Sequence, residues 1–167
     1  THPDVIAVSA STSINRKAAY SNWGKEITVC APSNNYHPLD FSIKLKGRGI
    51  CTTDNFSDGS YFSPNSRYTT NFGGTSSAAP IVAGVVGLML SVNPNLTAHQ
   101  VKKIIAETAD KITDTTPDII NNNQKGTYDA NGHSEWFGYG KVNAYKAVQK
   151  AVALNQQLPD NTLNTAD

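Results

Sequence analysis

The chain has 167 residues, 38% of them apolar and 16% charged, with a formal net charge of +1. That length fits one domain or a large piece of a bigger one, with enough apolar residues to bury a core. The near-zero charge removes the electrostatic case for a nucleic acid or an anionic membrane as partner, and two cysteines are too few for a disulfide framework.

For Cys30 and Cys51 the sequence favours two buried free thiols, with a single bridge as the alternative, and the compartment stays open. No signal peptide is legible. Thr1 opens the chain on the approach to a strand, which reads as a processed product or a piece of a longer polypeptide.

Val5 to Ala10 is a short apolar run with β-branched residues, expected as a strand buried on both faces. Ile27 to Ala31 reads the same way and is stopped by Pro32. Asn22-Trp23-Gly24 marks a turn between them. Asn34 to Lys46 shows no clear period and reads as an excursion. Gly49 to Thr53 and Tyr68 to Phe72 read as two short strands of a hairpin with a long polar tip.

A helix is expected from Thr75 to near Asn93-Pro94. Its apolar run, Ala78 to Leu90, is shorter than the roughly 20 residues of a bilayer span and carries Pro80, Gly84 and Gly87, so no membrane span is assigned. It reads as a buried helix whose glycines admit close-packed neighbours. Thr97-Ala98-His99-Gln100 is a capping box, and Val101, Ile104, Ile105 and Thr108 mark one face of the helix behind it. Residues 113–135 read as an Asn-rich loop region. Asn143 can cap a last helix containing Ala144, Ala147, Val148, Ala151 and Val152, with a polar, mobile tail from Asn155. Strands first and helices later give an α/β class with an incomplete sheet.

Chemistry concentrates at Gly74-Thr75-Ser76-Ser77-Ala78-Ala79-Pro80. An alcohol is a weak nucleophile near neutral pH. It needs a base for its proton and donors for the oxyanion that forms. A serine at a helix N-terminus gains such a donor from its own N–H, favoured by the helix dipole. Gly73 and Gly74 let backbone approach a substrate, and Thr75 adds a hydroxyl. An isolated Thr-Ser-Ser before an apolar run is most often a plain N-cap, so the reading rests on the whole heptapeptide.

That heptapeptide resembles the G-T-S-x-A-x-P serine motif of the subtilisin-like serine proteases. Pro3 to Ala10 resembles the strand after their oxyanion region, Ala19-Tyr20-Ser21-Asn22-Trp23-Gly24 their A-x-F/Y-S-N-x-G turn, and Val29-Cys30-Ala31-Pro32 their V-x-A-P strand end. Val82-Ala83-Gly84, Asn93 to Thr97 and Gly138-Tyr139-Gly140-Lys141-Val142-Asn143-Ala144 continue the match in the family's order.

The resemblance implies an α/β fold, the C-terminal half of a three-layer subtilisin-like domain with a parallel central sheet, over residues 1–154, with a tail over 155–167. It implies Ser76 as nucleophile and the Ser76 N–H as an oxyanion donor, with Thr75 and Gly74 in support. The family's triad runs Asp, His, Ser along the chain. Its D-T/S-G, H-G-T-H and A-G-N motifs are absent here.

None of His2, His37, His99 and His133 is followed by Gly-Thr-His, and each reads as a solvated or loop histidine. The implied partner is an upstream or separate portion carrying Asp, His and the oxyanion Asn, and the implied substrate is a protein or peptide. Alone, the chain is expected to hydrolyse little. A non-catalytic scaffold used for binding, and an esterase or amidase of the same mechanism, are the alternatives.

No cofactor is needed for this chemistry. A structural calcium fits the resemblance, with Glu26 at the position of a family carboxylate beside carbonyls near Val5. Thr28 stands where the second carboxylate belongs, and no metal site is assigned. Asp129 to Glu135 has alternating oxygen ligands and a glycine but falls short of a twelve-residue calcium loop. Asn55-Phe56-Ser57 and Asn95-Leu96-Thr97 are glycosylation sequons.

Overall fold

The parallel pair expected from the two apolar runs forms the centre of the chain. In the computed structural model, which describes residues 2–57, 60 and 65–156, β1 (Ala7–Ser11) pairs in parallel with β2 (Ile27–Pro32). Val8 lies opposite Val29 and Ala10 opposite Ala31. β1 begins two residues later than the apolar run, because Val5 is 52% exposed and lies before the paired stretch. Segment 138–142 lays a further edge on β2: the Tyr139 and Val142 N–H groups donate to the carbonyls of Thr28 and Cys30, and the Cys30 N–H donates to Gly140.

Strand alternation separates two cores. Ala10, Val29 and Ala31 face the helices, with Val82, Val85 and Met89 from one and Val101, Ile104 and Ile105 from the next. Cys30 faces the other way, onto Ile112, Trp136 and Phe137. The three helices thus cover one face of the pair, and the loop region around 112–137 covers the other.

β3 (Tyr36–His37) and β4 (Asp40–Lys44) form a small antiparallel hairpin where the sequence suggested an excursion without regular structure. Leu39, Phe41, Ile43 and Leu45 alternate with polar residues through β4, but every residue of the strand is exposed, so no buried face accompanies the alternation. β5 (Ile50–Thr53) and β6 (Tyr68–Phe72) form the expected antiparallel hairpin. Part of its tip lies outside the described residues.

α1 (Thr75–Val92) packs on β1, β2 and α3 (Ala144–Gln156), and α2 (Ala98–Thr108) packs on α3 and β2. By length and composition alone α1 could span a bilayer, with a mean hydropathy of 1.7 over 18 residues. The expectation that α1 is buried requires correction. Only Ser77, Ala78, Val82, Val85 and Met89 are buried, whereas Leu88 is 54% exposed and Leu90 37%. No atom lies within 4 Å of where a Cβ on Gly84 or Gly87 would stand, so nothing in the described residues packs closely there. The chain supplies neighbours for one side of this helix.

Two smaller expectations also shift. Cys30 is buried and Cys51 exposed, and both are free, so one thiol rather than two is enclosed. Asn155 belongs to α3 and donates to the Val92 carbonyl at 3.2 Å, so the helix runs past the expected start of the tail. Residues 157–167 of that tail lie outside the described residues.

Candidate active site

The backbone arrives at α1 through Gly73 and Gly74, and both glycines are required. Gly74 is the N-cap residue, with φ 78° and ψ 169°, a conformation that a side chain disfavours. A Cβ on Gly73 would stand 1.8 Å from Asn34 Cγ, so the Asn34 amide lies directly against it. Gly74 has no side-chain cap of its own.

The two serines after Thr75 are used differently. Ser77 is buried; its N–H reaches the Gly74 carbonyl at 3.0 Å and its hydroxyl donates to the same oxygen at 2.9 Å. Its Oγ also lies 2.9 Å from Ser33 Oγ. Ser77 is therefore the serine that ties down the helix start. Ser76, at the second helical position, is exposed, and no hydrogen bond engages its hydroxyl among the described residues. Pro80 lacks the N–H that would reach the Ser76 carbonyl in the next turn. Thr75 is exposed beside it.

Ser76, Thr75, Gly74 and Gly73 line an open cavity of about 690 Å³ whose other walls are Tyr20, Asn34, Tyr36, Phe41 and Phe72. The walls are thus largely aromatic, with the β3–β4 hairpin supplying Tyr36 and Phe41. Among the described residues, no histidine or carboxylate lines the cavity. His37 accepts the Leu39 N–H within its own hairpin, and His133 lies 2.7 Å from the Ile27 carbonyl and edge-on to Tyr139. The structure brings Ser76, Thr75 and Gly74 together at one wall and adds no base to them.

Beneath the glycines lies a polar cluster that the sequence did not indicate. Tyr20 Oη lies 2.6 Å from Ser33 Oγ, 2.8 Å from Asn34 Oδ1 and 2.9 Å from the Asn34 carbonyl. The Gly74 N–H donates to Tyr20 Oη at 3.1 Å and to Asn34 Oδ1 at 3.2 Å. The Ser33 hydroxyl donates to the Gly74 carbonyl at 2.9 Å, and Asn34 Nδ2 donates to the Asn71 carbonyl at 3.0 Å. Burial pushes the Tyr20 phenol up, against the bonds from Ser33 and Gly74, so it stays a neutral hydroxyl. Of Tyr20, Ser33 and Asn34, only Tyr20 stood in a motif singled out in the sequence, the turn from Ala19 to Gly24.

The residues present do not fit a cation beside Glu26. The Lys102 ammonium donates to the carbonyls of Pro3 at 2.9 Å and Val5 at 2.8 Å, taking oxygens that a metal there would need. Asp129 Oδ1 accepts the N–H groups of Asn131 and His133 as a turn cap, and the Lys111 ammonium holds the Gly132 carbonyl at 2.5 Å. No group of three or more His, Cys, Asp or Glu side chains is clustered for metal binding among the described residues.

Residues 1–140 match the family model described as the subtilase family, Peptidase_S8. A protein named calcium-dependent protease from Trichormus variabilis is 39% identical over 89% of this chain and 21% of its own length. A protein of the same name from Nostoc is 36% identical over 97% of this chain and 25% of its own. The fold superposes on the crystal structure of the serine protease of Aeromonas sobria with a TM-score of 0.66 at 23% identity, covering 90% of this chain and 29% of that one. The chain spans between a fifth and a quarter of the length of these two relatives. With the family model matching residues 1–140, the chain that carries this helix start belongs to the subtilase family of peptidases.

Proposed function

We propose that this chain is the nucleophile-bearing part of a serine endopeptidase, with Ser76 as the attacking residue. The observation that carries the reading is the division of labour between neighbours: Ser77 is buried and bonded, whereas Ser76 presents an unengaged hydroxyl to a cavity at a helix N-terminus. A base takes the Ser76 proton as Oγ attacks the peptide carbonyl. The tetrahedral oxygen is met by the Ser76 N–H at the positive end of α1. Collapse expels the amine and leaves an acyl-serine, which water hydrolyses.

The base, its aspartate and a second oxyanion donor, an asparagine, come from a portion of the protease outside these residues. Two features support this. None of the four histidines lines the cavity, and one side of α1 presents Ala79, Ala83, Gly87 and Leu90 to the outside, with no other described residue packed on Gly87. That apolar side is what the complementary portion would cover. The relatives' names suggest calcium in the complete enzyme, and the Lys102 contacts argue against the Glu26 position as its site.

In the complete protease, Ser76→Ala is expected to lower peptide hydrolysis by about 10⁴-fold or more. It is also expected to abolish labelling by a fluorophosphonate. Hydrolysis at the unaltered rate in Ser76→Ala overturns the assignment.

A further inference from the structure

Two consecutive glycines directly before a reacting group pose a mechanical problem. Glycine is the freest residue of the backbone. Small errors in direction at a reacting atom are costly, about a hundredfold in rate for about 1 Å of misplacement. Gly74 lacks the side-chain cap that would fix a helix start. The structure fixes it from elsewhere.

The Gly74 N–H is held by Tyr20 Oη and Asn34 Oδ1, and its carbonyl by the hydroxyls of Ser33 and Ser77. Tyr20 Oη is itself within 2.6 Å of Ser33 Oγ and 2.8 Å of Asn34 Oδ1, so the bonds close into a ring through Gly74. Tyr20 comes from the turn after β1, Ser33 and Asn34 from the end of β2. The ring therefore references the helix start to the parallel strands. The phenol is the one group in it that touches both the N–H side and, through Ser33, the carbonyl side of Gly74.

We propose that Tyr20 is a positioning residue for Ser76. Its hydroxyl, acting with Ser33 and Asn34, sets the Gly74 peptide and so aims the Ser76 N–H and Oγ at the cavity. This rests on the reading of Ser76 as nucleophile. The Tyr20 ring lines the cavity while the hydroxyl turns to Gly74. Removing the oxygen alone leaves the cavity wall in place, so binding and positioning separate.

The test is Tyr20→Phe in the complete protease, measured for kcat and KM on a peptide substrate, for the rate of fluorophosphonate labelling and for thermal midpoint. The expected result is a kcat about tenfold lower with KM within about twofold, and labelling slowed by a similar factor. A purely structural role would move the midpoint and leave kcat of the folded enzyme alone, and that result overturns the proposal. A raised KM at unchanged kcat overturns it too, because the hydroxyl would then be contacting substrate. Should Tyr20→Phe not fold, Ser33→Ala carries the same test with the same two readings. Ser76→Ala run alongside keeps the failures apart. Activity surviving in Ser76→Ala defeats the nucleophile. A Ser76-dependent enzyme indifferent to loss of the Tyr20 hydroxyl defeats only the positioning role.

Discussion

Ser76 and Ser77 are adjacent, chemically identical and both near a helix start, yet the fold gives them opposite surroundings. The helical turn rotates successive side chains by about 100°, so one points into the core and its neighbour out. The heptapeptide motif picked out Ser76, and burial sorts the pair independently. The cysteines divide in the same way, though no motif marked them. Burial pushes the Cys30 thiol up to about 12, whereas Cys51 is exposed on a short hairpin. A thiol so shifted holds almost no thiolate near neutrality and is inert. In the native protein at about pH 8, an aromatic disulfide reagent should therefore label Cys51 at once and reach Cys30 only after denaturation. Two equally fast thiols in the native state would show that the second core is open.

At the scale of elements, local signals worked where local chemistry decides. Thr97 forms the full capping box: the Gln100 N–H donates to Thr97 Oγ1 at 3.3 Å, and the Thr97 N–H to Gln100 Oε1 at 2.8 Å. Both pairs are exposed, so the box acts on α2 alone. Thr97→Ala is expected to cost about 1 kcal/mol, read as a lower urea midpoint at unchanged slope. A null effect would mean that packing of Val101, Ile104 and Ile105 fixes the helix end unaided. The β3–β4 hairpin escaped the sequence for the opposite reason. Leu39, Phe41 and Ile43 alternate with polar residues but are 78%, 66% and 47% exposed, so the pattern answers to no buried face within the described residues. Yet that hairpin supplies Tyr36 and Phe41 to the cavity.

Across the whole molecule, the loop region is joined to the start of the chain by one enclosed ion pair. Lys17 Nζ lies 2.8 Å from Asp118 Oδ2, with side chains 5% and 4% exposed, and 5.6 Å above the Trp136 ring. Burial pushes the Asp118 carboxyl up, but the Lys17 ammonium and the N–H groups of Ile120 and Asn121 outweigh it and hold it below the ordinary range. A carboxyl depressed on folding contributes stability above its unfolded value, about 3.9, and loses it as pH falls through the folded value. Asp118→Asn leaves the ammonium enclosed without a counter-charge and should cost on the order of 3 kcal/mol at neutral pH. The loss should shrink as pH falls from about 4 towards the depressed folded value, below which the native carboxyl is itself protonated. Equal urea midpoints for the two proteins at neutral pH would show that the pair is solvated.

The sequence by itself determined the class, the strand–helix order and the caps, and it singled out the serine proposed to react. Each of these is written in neighbouring residues, as a period, a cap or a motif. Only the tertiary structure decided what holds the Gly74 peptide before that serine. The Gly74 N–H meets a phenol 54 positions earlier, and Lys17 meets a carboxylate 101 positions later. Only the structure, too, showed that one side of α1 faces outward. An apolar helix reads as buried whether its neighbours belong to this chain or to another portion of the protein, because hydrophobic patterning records that a face must be covered and not what covers it.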